Sequence, residues 1–167
     1  MRLTPSTVRA EWQWVRERGD VIVPLVAEVR TALGDVFETD VDPISDEQYV
    51  AAVDDVFADG DLAVNVAALV GTLRTLDVED DYPGFVVDEL LGRELAAMIA
   101  GQQPLRLLGE ATFHYADIHT HDTDDVAGAD DLDAALAAGF QTRLPGWEWR
   151  EGPSPFAVES GGADGDT

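Results

Sequence analysis

Cysteine and lysine are both missing from this chain of 167 residues. Without cysteine there are no disulfides, no thiolate nucleophile and no cysteine-based metal site, a pattern compatible with a reducing cytoplasm. Without lysine, arginine is the sole strong base: 10 arginines face 34 Asp and Glu, for a formal net charge of −24. Long apolar runs are lacking too. The most apolar stretch, Val21-Ile22-Val23-Pro24-Leu25-Val26-Ala27, is closed off by Asp20 and Glu28 and falls far short of the roughly 20 residues of a membrane span. The chain therefore reads as soluble and cytoplasmic, with no membrane partner and no targeting segment. Strand signals are nearly absent.

The charge that is present sets the solvent. Many carboxylates must lie within the Debye length of about 8 Å at physiological ionic strength, so self-repulsion opposes a compact state. At molar salt that length falls to about 3 Å and most of the penalty goes. Abundant Asp and Glu, no lysine and many small Ala, Gly and Val residues together resemble the cytoplasmic proteins of salt-in halophiles. Phosphate backbones would meet a strongly negative field, so no nucleic-acid partner is expected.

Helical spacing dominates the chain. Its length suits one domain, expected over residues 1–150, with a Gly- and Asp-rich tail over 151–167 expected to be largely disordered. Thr4-Pro5 starts a helix bearing Val8, Trp12 and Val15 on one face and ending near Gly19. A second runs from Asp20, with Pro24 expected in its first turn, to Gly34. Ser45-Asp46-Glu47-Gln48 fits a capping box ahead of a third helix with Tyr49, Ala52, Val53, Val56 and Phe57 inward, stopped by Gly60. Asp61 is expected to cap a fourth, Leu62 to Leu76, apolar nearly all round and so expected at the centre. A fifth over Phe85 to Ala100 turns Leu90, Leu91 and Leu95 inward. A sixth from Pro104 is weakened at Gly109, which leaves room for a bend there. A short seventh starts at Asp130 or Asp131 and reaches Gly139. The expected fold class is all-α, a single-domain bundle of about six or seven helices with an extended C-terminal arm.

All three histidines fall in Phe113-His114-Tyr115-Ala116-Asp117-Ile118-His119-Thr120-His121-Asp122. If this segment is helical, His114, Asp117 and His121 share a face and His119 points away; if it is extended, Asp117, His119 and His121 align. Either way two imidazoles and a carboxylate converge, the ligand set of a mononuclear iron or catalytic zinc site. A metal-dependent hydrolase or oxygenase built on residues 114–121 is thus one function class, with a divalent Zn or Fe as its cofactor. Charged histidines interacting with a helix end and with neighbouring carboxylates are the structural alternative, and they imply no cofactor. The string Asp117-Ile118-His119-Thr120-His121 also resembles the opening Asp-x-His-x-His motif of the PHP phosphoesterases and the amidohydrolase barrels. The resemblance implies two metal-binding histidines, His119 and His121, at the end of a barrel strand. It covers five residues; the chain after residue 117 leaves no room for a barrel, and no histidine beyond His121 supplies the remaining ligands.

Two tryptophan doublets, Trp12-Gln13-Trp14 and Trp147-Glu148-Trp149, lie near the two ends. Buried, Trp147 and Trp149 would clamp a C-terminal arm onto the bundle. Exposed, Trp14, Trp147 and Trp149 would form a contact for a protein partner or a second copy of the chain. Arg9, Arg16 and Arg18 on the first helix are expected to pair with carboxylates, since no glycine-rich phosphate cradle accompanies them. No serine sits in a nucleophile elbow. The favoured function class is a non-enzymatic protein-interaction, adaptor or chaperone-like domain, similar at this coarse level to the helical chaperones that escort redox enzymes. Glu94 and Glu110 discriminate: turned inward toward His114 they would favour a metal core, and turned to solvent a scaffold.

Overall fold

The computed structural model describes residues 2–76, 87–118, 120, 129–147 and 158; the side chains at 87–89 and 129–130 lie outside that description, as does the 151–167 tail apart from Val158. Among the described residues the chain is an all-α bundle of seven helices. These are α1 (Pro5–Glu17), α2 (Gly19–Phe37), α3 (Asp46–Ala58), α4 (Gly60–Thr75), α5 (Arg93–Ala100), α6 (Leu105–Ile118) and α7 (Ala129–Gln141), with a π-helical turn, Val87–Gly92, leading into α5. No helix among them is long and apolar enough to cross a membrane.

Local chemistry sets the helix starts. Thr4 caps α1 by accepting from the Thr7 N–H, with Pro5 in the first turn. The Ser45 and Gln48 side chains bond each other's backbone N–H at 3.2 and 2.9 Å, the expected capping box. The expected stops moved, because two residues each serve two helices. Arg18, not Gly19, closes α1 and opens α2. Gly19 lets the ring of Tyr49 approach, since a Cβ there would sit 3.2 Å from it. Likewise Asp59, not Asp61, caps α4: its carboxylate accepts from the Leu62 N–H, and Gly60 begins the helix it was expected to precede.

Helix α2 continues past Gly34 to Phe37 and ends at Glu38 in the left-handed region, φ 52°. Pro24 therefore lies inside α2, beyond its first turn, on the exposed side. There the carbonyl that loses its helical partner faces water, which lowers the cost. Gly109 is a packing contact: a Cβ on it would come within 3.0 Å of the Ala100 Cβ and the Ala96 carbonyl oxygen. Leu90, expected inward, is 57% exposed, because the wider π turn breaks the 3.6-residue spacing that placed it.

The central helix is α7 and not α4. Every side chain from Asp131 to Gln141 is buried, and α7 packs against α2, α3, α4, α5 and α6. Its alanines and Gly139 permit the close approach; a Cβ on Gly139 would lie 2.7 Å from Ile99 Cβ. Asp133, 2% exposed, is held by Arg18 through Nε to Oδ1 at 3.0 Å and Nη2 to Oδ2 at 2.8 Å. A bidentate pair of this kind is what makes a buried carboxylate tolerable. By contrast α4 buries only one side, with Val66, Val70 and Leu73 inward and the apolar Val64 outward.

The chain after α7 folds back over Arg30, which is 2% exposed. Its Nη1 donates to the carbonyls of Asp42 and Pro145, at 2.8 and 2.6 Å, and its Nη2 to those of Gln141 and Leu144, at 3.3 and 3.1 Å. Gln141 is the last residue of α7, so the guanidinium meets the C-terminal end of the helix, where the dipole is negative, as well as the turn beyond it. Trp147 closes the arrangement: Nε1 donates to the Gln141 carbonyl at 3.2 Å, the ring lies 5.6 Å from the Arg30 guanidinium, and its backbone bridges Val41.

Candidate functional site

Helix α1 lies across α3 and α4, which bend by 111° at the Asp59 elbow. Between α1 and the elbow is an open groove of about 670 Å³. Val8 and Trp12 enter it from α1, Phe57 from α3, and Val64 from α4. Leu3 and Val64, 44% and 43% exposed, give its rim an apolar character. Gly60 lies on the lining at the elbow, where a Cβ would meet nothing within 4 Å.

The polar groups of this groove are few and specific. Asp54 Oδ1 accepts from Trp12 Nε1 at 2.9 Å. Arg16 Nε lies 2.9 Å from the same oxygen, an ion pair without hydrogen-bond alignment, and the Arg16 guanidinium covers the Trp12 ring at 5.0 Å. Trp12 is thereby fixed, and Asp54 is compensated. Arg9 is the remaining charged side chain on the lining, and it is exposed. A mostly apolar concave surface with a few convergent polar groups is the usual character of a binding site. A second cleft at the elbow, about 650 Å³, is polar, with Asp55, Asp59, Asp61 and Arg143 on its lining.

The histidine segment is helical as far as Ile118. His114 is exposed on α6, edge-on to Phe113 at 5.6 Å between ring centres, and Asp117 is half-buried one turn later. The Asp117 carbonyl accepts from both the backbone and the hydroxyl of Thr120. His119 and His121 lie outside the described residues, so the proposed trio of His114, Asp117 and His121 is described only in its first two members. Among the described residues no three His, Asp or Glu side chains are grouped to hold a metal ion. Glu94 is exposed and pairs with Arg106 at 3.1 Å, the solvent-facing outcome for that discriminator. Glu110 is half-buried.

Of the tryptophans proposed as partner contacts, Trp147 is corrected: it is 1% exposed and packs in the core, so it offers no contact surface. Trp14 is half-buried between two guanidinium groups, Arg74 at 4.3 Å and Arg18 at 5.5 Å from its ring. Trp149 lies outside the described residues. Arg16 and Arg18 pair with Asp54 and Asp133 as expected, whereas Arg9, also expected to pair, takes part in none of the ion pairs among the described residues. The groove itself was not foreseen. Its one sequence signal is the apolar character of α4 on every side, which leaves Val64 over once the core face is filled.

Fold and site together define an all-α bundle carrying an open apolar groove. Residues 1–160 match the model of a family described as a domain of unknown function, DUF7984, and the chain belongs to that family. Comparison with curated proteins and with solved structures gives no match.

Proposed function

We propose that this chain is a haloadapted cytoplasmic protein-interaction module, and that the α1–α3–α4 groove receives an apolar segment of a protein partner. The observation that carries the reading is the groove's lining, with exposed Leu3 and Val64 beside Val8, Trp12 and Phe57. Leaving such side chains in water forgoes about 25 cal/mol for each Å² of apolar area, a loss that a docked segment recovers. An open groove between helices suits an amphipathic helix laid in by its apolar face. The solvent argument points the same way. At molar salt, charges farther apart than about 3 Å scarcely interact, so apolar contact carries recognition that long-range attraction cannot.

The test uses a neutral, amidated helical peptide with leucines at i, i+3, i+4 and i+7, titrated into isotope-labelled protein in molar KCl. Amide shifts should concentrate at Val8, Phe57 and Val64, and Gly60→Phe should abolish them by filling the groove. Because an added Cβ at Gly60 has open space and its φ is not positive, that variant should fold normally. Uniform or absent shifts would end the reading.

A further inference from the structure

One charged side chain on the groove lining, Arg9, is opposite in sign to the net charge of the protein and, among the described residues, stands apart from its ion pairs. The chain as a whole is −24; of the two charged side chains on the lining, Asp54 pairs with Arg16 from outside the groove, which leaves Arg9 as the charge open to a ligand. Among the described residues Arg9 takes part in none of the ion pairs, which engage Arg16, Arg18, Arg74 and Arg106. It lies one residue from Val8 and one helical turn from Pro5 and Trp12, so its exposed guanidinium stands at the edge of the apolar lining.

From this juxtaposition we infer that the groove selects an apolar segment flanked by a carboxylate, an acidic amphipathic helix of a partner protein. The inference rests on the groove being a docking site and adds the chemistry of what docks. Two electrostatic effects compete over such a ligand. The global field repels an acidic helix and attracts a basic one, and it acts through solvent at distances that salt screens. The contact between Arg9 and a bound carboxylate acts at hydrogen-bond distance, inside even the screening length of about 3 Å at molar salt. In dilute buffer the field wins and a basic helix is preferred. In molar KCl the contact wins and the preference inverts. Specificity for an acidic segment is thus conferred by salt.

Three versions of the leucine-patterned peptide test this, identical except for Glu, Gln or Lys at the position next to the first leucine, each measured by fluorescence anisotropy in molar KCl. The Glu peptide should bind about twofold more tightly than the Gln peptide, the lower range for an exposed pair because molar salt weakens it, and Arg9→Gln should erase that difference. Equal affinity for Glu and Gln on the wild-type chain, tighter binding of Lys, or a Glu preference that persists in Arg9→Gln would each overturn the inference while leaving the groove a docking site. Failure of all three peptides to bind would remove the docking site itself. A chain that sediments as a dimer in molar KCl and, as Gly60→Phe, as a monomer would put a second copy in the groove and overturn the inference too.

Discussion

Tyr49 shows what one side chain can report in a protein so poor in titrating bases. Its hydroxyl donates to the Val15 carbonyl at 2.6 Å, and its ring stands edge-on to Phe140 at 5.6 Å. Burial pushes its phenol far above the ordinary value, with Asp133 adding to the shift and Arg18 opposing it. A raised acid means the fold favours the protonated phenol. That contribution is complete below about pH 10, the ordinary value, and is lost as pH rises above it, because the unfolded chain ionises there and the folded one does not. The loss amounts to at most about 1.4 kcal/mol per pH unit. With no lysine or cysteine to titrate, tyrosine is the only side chain changing charge in this window, arginine lying above about pH 12. Stability measured by urea unfolding should therefore fall steeply above about pH 10. In Tyr49→Phe it should start about 1 kcal/mol lower, for the missing hydrogen bond, and fall more gently. An unchanged alkaline slope in that variant would show that Tyr49 ionises freely in the folded chain.

Among the elements, α7 depends most on partners distant in sequence. Its last carbonyl, that of Gln141, is held by Arg30 from α2, whose planar fork also reaches the Leu144 and Pro145 carbonyls of the turn that follows and that of Asp42. Lysine offers its donors from a single nitrogen and cannot span them. Arg30→Lys should therefore cost about 3 kcal/mol, from hydrogen bonds to a charged donor worth about 1.5–3 kcal/mol each. It should also lower the quantum yield or shift the emission of Trp147, which loses its guanidinium neighbour. A loss under about 1 kcal/mol would mean that the turn is held by other contacts. The same dependence explains what could be read from the sequence. The Thr4 and Ser45 caps were legible because a cap is settled within four residues. The helix class was legible from apolar spacing. The centrality of α7 was not, because Asp131 and Asp133 give it the look of a surface helix. Asp133 is buried only by grace of Arg18, 115 residues away. The groove was illegible for a related reason: Val64 and Phe57 read as core until the bend at Asp59 leaves them at an edge.

For the molecule as a whole, salt acts on two opposed terms and their sizes decide the outcome. Added KCl weakens the exposed ion pairs, such as Arg106 with Glu94 and Arg16 with Asp54, but exposed pairs contribute only about 0–1 kcal/mol each. It leaves the Arg18 pair with buried Asp133 nearly untouched, since solvent ions do not reach a carboxylate that is 3% exposed. Against these small losses stands the mutual repulsion of a chain with 34 acidic groups and 10 arginines, which screening relieves wherever those groups meet solvent. The melting temperature should therefore climb from dilute buffer to molar KCl, by about 2–4 °C for each 1 kcal/mol of repulsion removed. Most of the climb should come early, because the Debye length shortens from about 30 Å at 0.01 M to about 10 Å at 0.1 M before reaching about 3 Å at 1 M. Sucrose, which favours burial by exclusion without screening charge, separates the two causes. If sucrose raised the melting temperature as much as KCl, or if KCl did not raise it at all, the acidic surface would not be an adaptation to salt. The salt-conferred preference of the groove would then lose its physical setting, since it requires a folded chain at the ionic strength where a contact with Arg9 outweighs the field of the other charges.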